Sequence, residues 1–264
     1  MSSHFAAVGF RVTDQASFRA LIAGLLERAD TQRVEGELRQ HVWTGAGGAR
    51  VVIETHGRSV AQVLPCLAST AEPVPVARVE MVDEETARLE LLNGPGGTML
   101  CPLAVELEDR ALLRARGGTV LEGGLRLAAL AERITLHTGG AAAYEAAQAE
   151  GEIGFARDYL IPIGLFRPEE AGEEWVPTAH AAFAGEVLSA EAHAGEDGDG
   201  RFHRLRVRTI GGHEVDVAVA DEDVTHPPAE GHWVDGEFFL TGSLGLTPAP
   251  EPDAARKRWW SRRS

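Results

Sequence analysis

The sequence predicts an α+β fold with two domains: a sheet-rich, mostly antiparallel N-terminal domain (1–170) and a small OB-like β-barrel (179–246). Three patterns support this prediction. A helical periodicity follows Asp14, turn residues separate paired apolar runs in the first half of the chain, and short runs joined by turns fill 179–244. Hairpins and helices that occur in separate stretches, rather than in strict alternation, are typical of this fold class.

The C-terminal third carries the clearest strand periodicity. Leu205 and Val207 alternate with three arginines, which is the period of a half-buried strand. Gly211-Gly212 then gives a two-residue hairpin signal, and valines alternate with polar or small residues in 215–219. Because closure removes the exposed edges of such a small sheet, an OB-like barrel is expected, and an SH3-like barrel is the alternative.

The N-terminal domain contains a more varied set of elements. Residues 5–12 are expected to form a first strand, followed by an amphipathic helix that begins at the N-cap Asp14. Hairpins are expected at 38–56 and 78–92, where turn residues separate two apolar runs. Residues 125–137 fit a strand better than a helix, because β-branched residues lie near their end.

Composition and charge limit the cellular compartment and the binding partners that can be expected. The chain has 264 residues and a formal net charge of −15, so its acidic body should repel the phosphates of nucleic acids. It has no apolar run long enough for a membrane span, and residues 1–12 lack the features of a signal peptide. Two cysteines are too few for a disulfide scaffold, so a cytoplasmic protein is expected.

Four segments carry a resemblance to a known family. They are YLIPIGLF (159–166), AGEVLSAEAHAG (184–195), RFHRLRVRTIGGHEVDVAVA (201–220) and GEFFLTGSL (236–244). They resemble a family of uncharacterised bacterial proteins in which a sheet-rich part precedes a small barrel. That barrel ends in a Gly-x-Phe-x-Leu-(Ser/Thr)-Gly-x-Leu pattern, which here runs from Gly236 to Leu244. The resemblance implies the barrel and no activity.

The C-terminal region 247–264 is a proline-rich linker followed by a basic tail with two tryptophans. Tryptophan beside arginine suits an anionic partner surface or a membrane interface, and the tail could also fold back onto the acidic body. We therefore expect a non-catalytic protein-binding or assembly function, with an unknown protein as the partner. The expected contact residues are Arg256, Lys257, Arg258, Trp259, Trp260, Arg262 and Arg263.

The first alternative is binding of single-stranded nucleic acid by the barrel. Arg204, Arg206 and Arg208 line one face of a strand, and Phe202 lies just before them. A basic groove with aromatic stacking platforms is the usual single-strand binding surface. Against it, Glu214 and Asp216 on the next strand are placed to neutralise the row.

The second alternative is a metal-dependent enzyme in the N-terminal domain. Its strand–helix–strand–strand–strand order resembles a vicinal-oxygen-chelate module, in which His4 and Glu54 would be ligand candidates by strand position. Six of the ten histidines lie at 180–232, but their spacing matches neither HExxH nor a Cys/His finger. With no nucleophile elbow either, the sequence assigns no catalytic residue, cofactor or metal ligand.

Overall fold

The structure is a computed structural model that describes residues 3–150, 154–168, 172, 175–196 and 200–248. It is a sheet-rich α+β protein with mostly antiparallel strands. The helices are α1 (His4–Ala7), α2 (Gln15–Arg28), α3 (Arg110–Ala115) and α4 (Gly140–Glu150). None of the helices within these ranges is long and apolar enough to cross a membrane.

The strands fall into two groups along the chain. The first group is β1 (Asp30–Glu35), β2 (Leu38–Thr44), β3 (Ala49–His56), β4 (Ser59–Leu67), β5 (Val74–Met81), β6 (Thr86–Leu92), β7 (Met99–Leu107) and β8 (Thr119–His137). The second group is β9 (Leu160–Ile161), β10 (His180–Ala194), β11 (Arg201–Arg208), β12 (Glu214–Ala220) and β13 (Trp233–Ser243).

The start of the chain departs from the predicted first strand. Ser3 caps the short helix α1 by accepting a hydrogen bond from the amide of Ala6 at 3.2 Å. Gly9 then takes a φ of +82°, which an extended strand does not contain. The prediction of a strand at 5–12 is therefore wrong, because a local cap and a left-handed glycine override a short apolar run.

The next elements follow the sequence prediction closely. Asp14 caps α2 by accepting from the Ser17 amide at 2.7 Å, and the Ser17 hydroxyl accepts in turn from the Asp14 amide at 3.0 Å. Strands β2 and β3 form one predicted hairpin, and β5 and β6 form the other. Residues 125–137 are a strand, as predicted, within the longer β8.

The strands make two sheets. The first is the antiparallel meander β1-β2-β3-β4, and the second contains nine strands in the order β11-β12-β8-β5-β6-β7-β13-β10-β9. Additional pairings join β10 to β11 and β8 to β13, and the two parallel pairs are β12–β8 and β13–β7. The long strands β8 and β13 therefore lie at the centre of the larger sheet.

The predicted C-terminal barrel is not a separate unit in this arrangement. Strands β10 to β13 pair with one another, but β8 pairs with both β12 and β13. The structure does not confirm an OB-like barrel, because a strand from 119–137 joins the strands of 180–243. The predicted boundary near residues 170–179 thus does not separate two sheets.

Two large hydrophobic cores support the sheets, and a small third one lies around Tyr144 of α4. The larger lies among the strands of the nine-stranded sheet and includes Phe183 and Phe238, whose rings stack at 3.8 Å. The second lies between the four-stranded sheet, helices α1 and α2, and the other face of the larger sheet. Helix α1 belongs to this second core through Ala7, which is fully buried.

Candidate metal centre

Three side chains from distant parts of the sequence meet beside helix α1. The Nε2 atom of His4 lies 2.9 Å from Oε1 of Glu132, and Nε2 of His180 lies 3.2 Å from the same oxygen. One ligand atom from each residue lies within 4.8 Å of both others. Within the described ranges this is the one group of three or more potential ligands with such spacing. We refer to these three residues as the His–Glu–His cluster.

Backbone contacts of glycine hold the His4 segment in place. A Cβ atom on Gly195 would lie 1.9 Å from the carbonyl oxygen of Gly9, and one on Gly200 would lie 2.2 Å from it. Only glycine permits such an approach, so the β10–β11 hairpin is fitted against the end of α1. Gly195 and Gly200 therefore pack directly against the segment that follows α1.

A β-bulge presents Glu132. On β13, Phe238 pairs with Ala131 and Glu237 pairs with Arg133, so Glu132 is the extra residue on β8. Ala129 and Ala131 before the bulge, and Ile134 after it, all pack in the larger core. A bulge re-aims side chains in this way, and here it leaves Glu132 free to meet the two histidines.

The second histidine sits at the start of β10. His180 pairs with Phe239 of β13. The Phe239 ring stacks on His4 with centroids 4.1 Å apart, and it contacts His180 edge-on at 5.5 Å. One apolar ring therefore restricts both imidazoles, which limits the entropy that they would lose on binding a ligand.

The cluster is partly open to solvent. The side chains of His4, Glu132 and His180 are 29%, 15% and 31% exposed. Burial raises the pKa of Glu132, but the hydrogen bond from His4 and the charges of both imidazoles outweigh it, so the net pKa lies below its ordinary value. An ionised carboxylate between two imidazoles is a good donor set for a divalent transition metal.

His4 and Glu54, the two ligand candidates suggested by strand position, lie in different networks. Glu54, the other candidate ligand, lies in a buried network elsewhere, where Arg110 and Arg114 donate to its two oxygens at 2.8 and 2.7 Å. Because residues 5–12 are not a strand, the vicinal-oxygen-chelate order is also absent. The sequence did contain a signal for Glu132. Apolar residues alternate at 127, 129 and 131, and the alternation then shifts by one position to 134 and 136.

The remaining C-terminal histidines have other partners. His203 lies 2.8 Å from Asp221, and His213 lies 2.8 Å from the carbonyl oxygen of Leu92. His193 lies 3.4 Å from Glu191, and the Nδ1 atom of His232 accepts from the Ala229 amide. Of the six histidines in 180–232, His180 alone joins a potential ligand group among the described residues.

Three arginines of β11 form hydrogen bonds with acidic side chains of the same protein. Arg204 and Arg206 donate to the buried carboxylate of Asp216 at 2.9 and 2.8 Å, and Arg208 donates to Glu186 at 3.4 Å. Phe202 is buried and offers no exposed ring for stacking. These contacts oppose a single-strand binding face, which needs available guanidinium groups and aromatic surfaces.

Asp216 is the centre of this second network. Its carboxylate also accepts from the Thr70 amide at 2.7 Å, which fixes the connection between β4 and β5. Burial raises the pKa of Asp216, but the hydrogen bonds from Arg206 and from Thr70 outweigh it and hold the net pKa below its ordinary value. The charges of the row therefore stabilise the fold, and the acids predicted to neutralise it do so.

The predicted contact residues of the basic tail, Arg256–Arg263, lie outside the described residues. No protein-family model, curated protein or solved structure matches the chain. The resemblance to an uncharacterised bacterial family therefore stays a prediction.

Proposed function

We propose that this protein binds a divalent transition metal, most suitably Zn²⁺, through His4, Glu132 and His180. The observation that carries the proposal is the approach of three ligand atoms from three separate elements to within 4.8 Å of one another. Tetrahedral zinc with bonds of about 2.0–2.2 Å places its ligand atoms ~3.3–3.5 Å apart. The two imidazole nitrogens lie 2.9 and 3.2 Å from the Glu132 oxygen, slightly closer than this, and within 4.8 Å of each other.

The composition of the site supports zinc over calcium or magnesium. Two imidazoles and one carboxylate suit a borderline-soft ion, whereas calcium and magnesium take mainly oxygen ligands. Three protein ligands leave the fourth tetrahedral position to water or to another external ligand, as in catalytic zinc sites. The proposal is therefore a metal centre open to solvent, of which activation of a bound water is the simplest chemistry.

Zinc titration of the purified full chain by calorimetry tests this function. We expect one ion per chain, and we expect Glu132→Ala and His180→Ala each to weaken binding. Removal of an outer hydrogen-bonding partner typically lowers metal affinity roughly 10–100-fold, and loss of a direct ligand should lower the zinc affinity by more than that. A matched control is His56→Ala, because His56 also lies beside a glutamate, Glu37, at 3.8 Å but joins no group of three potential ligands among the described residues.

Two results would reject the metal proposal. One is the absence of stoichiometric binding by the folded wild-type chain. The other is a Glu132→Ala variant that has the urea midpoint of the wild type and also binds zinc with the affinity of the wild type. Cobalt provides a second readout, because a tetrahedral Co²⁺ site with an open position should change its visible absorption when azide is added.

A further inference from the structure

A shallow groove on the larger sheet carries exposed apolar side chains. Two adjoining cavities of about 580 and 560 Å³ share Leu92, Gly96 and Glu122 as lining residues. They lie along β5, the first half of β8 and the turn that follows β6. This surface is called the β5–β8 groove below.

The groove combines apolar side chains with acidic ones. Leu121 and Met99, which line it, are 76% and 52% exposed. Three prolines, at positions 73, 75 and 95, extend the apolar surface. Large apolar side chains grouped with this much exposure mark an interaction surface more often than isolated ones do.

Negative charge surrounds these apolar side chains. Glu90 and Glu122 line the groove, and Glu80 is exposed on the neighbouring part of β5. Two cations lie beside them: Arg78 is paired with Glu90 at 2.9 Å, and Arg88 of β6 lies opposite Glu80. Further acids follow in the β5–β6 turn, at 83–85. The groove therefore suits an occupant that is both basic and aromatic.

The last described residues of the chain are held near the start of β8. The Leu246 amide donates to Asp109 at 2.9 Å, and the Thr247 carbonyl accepts from Arg116, which lies three residues before β8 begins. The five residues 249–253 can span up to about 17 Å when extended. The following segment, 254–264, contains five basic residues, two tryptophans and no acid.

We propose that the C-terminal segment 254–264 docks into the β5–β8 groove of its own chain. Trp259 and Trp260 cover the exposed side chains of Leu121 and Met99, and the basic residues face the surrounding glutamates. Charge complementarity, apolar complementarity and the contact of Thr247 with Arg116, five residues before Leu121, support this occupant. Docking covers apolar surface on both partners, which supplies the favourable free energy.

Limited trypsin digestion of the full chain tests this contact, because trypsin cleaves after Arg256, Lys257 and Arg258. Leu121→Asp and Glu122→Arg should each speed this cleavage roughly tenfold, which corresponds to about 1.4 kcal/mol of docking free energy. Val60→Asp is the control, since Val60 is an exposed apolar residue on β4, in the other sheet. It should leave the cleavage rate unchanged.

Three outcomes would overturn the inference. The tail of the wild-type chain could be cleaved as fast as a free peptide of residues 249–264. Both groove variants could leave the rate unchanged, or Val60→Asp could raise it as much as Leu121→Asp does. Protection that grows with protein concentration, together with a dimer in sedimentation, would assign the groove to the tail of a second copy instead. None of these results depends on zinc binding.

Discussion

Glu132 and Glu54 are both strand carboxylates with two basic partners, yet their surroundings suit different purposes. Glu132 lies between two partly exposed imidazoles. Glu54 lies between Arg110 and Arg114, and both Glu54 and Arg110 are almost completely buried. Histidine can exchange a hydrogen bond for a metal ion, whereas arginine has no free electron pair to offer one.

The Glu54 network is therefore closed, because it is buried and its arginines cannot bind a metal ion. The His–Glu–His cluster is open, because it is partly exposed and its histidines can bind one. Arg110 and Arg114 are one turn apart on α3, so both reach the same carboxylate of β3. Arg110 also donates to Glu106 at 3.0 Å, which ties the helix to β7. The lesson is that the type of basic partner, more than the carboxylate itself, separates a structural contact from a candidate ligand site.

The largest effect should come from breaking the closed network. Glu54→Ala removes the fully buried acid of Arg110 and leaves it only the partly exposed Glu106, and this should lower the free energy of unfolding by about 3–5 kcal/mol. Urea denaturation measures the loss. Glu132→Ala, which removes a partly exposed group from weaker pairs, should cost no more than about 1 kcal/mol.

The comparison fails if the two substitutions have equal effects on stability. It also fails if the folded fraction of Glu54→Ala loses zinc binding, because Glu54 has no contact with the His–Glu–His cluster. A zinc titration performed without denaturant distinguishes this case from simple unfolding.

The closed network should also make stability depend on pH near neutrality. Burial raises the pKa of Glu106 to about 7, with the charge of Arg110 acting in the opposite direction. The folded state then holds a proton that the unfolded state releases at lower pH, so stability should fall as pH rises from about 5 to 7. The full loss is on the order of 3 kcal/mol.

Glu106→Gln cannot release this proton, so its unfolding free energy should change less across that range. Urea midpoints measured between pH 5 and pH 8 test the difference. Glu145→Gln is the control, because Glu145 is exposed and pairs with Arg157 at 3.1 Å. Equal pH slopes for the wild type and Glu106→Gln would contradict the assignment.

Features of the fold that depend on interactions between nearby residues could be predicted from the sequence, whereas features that depend on distant residues could not. Helix α2 and the hairpins were predictable, because a cap such as Asp14–Ser17 and a turn act over a few residues. The pairing of β8 with β12 joins residues nearly 90 positions apart, and no local pattern specifies it. The separate barrel was expected for this reason, since the strands of 180–243 were considered without β8.

The candidate site was less predictable than the fold. His4 was named, but its partners come from 128 and 176 positions along the chain. Glu132 resembles any surface acid in so acidic a protein, and the bulge that presents it shows in the sequence only as a break in period. Arg204 and Arg206 formed a visible pattern, but their partner Asp216 makes them structural.

A substitution at Gly195 tests whether the glycine contact positions the open cluster. Gly195→Ala places a methyl group against the carbonyl of Gly9, so the β10–β11 hairpin and the segment that carries α1 must move apart. We expect a loss of about 1–3 kcal/mol in stability, and weaker zinc binding because His4 moves with α1.

Gly24→Ala is the matched control, because nothing lies within 4 Å of its new Cβ atom on α2. An alanine within a helix should raise stability by roughly 0.5–1 kcal/mol and leave the zinc affinity unchanged. Unchanged zinc affinity in Gly195→Ala would show that His4 reaches Glu132 without this backbone contact.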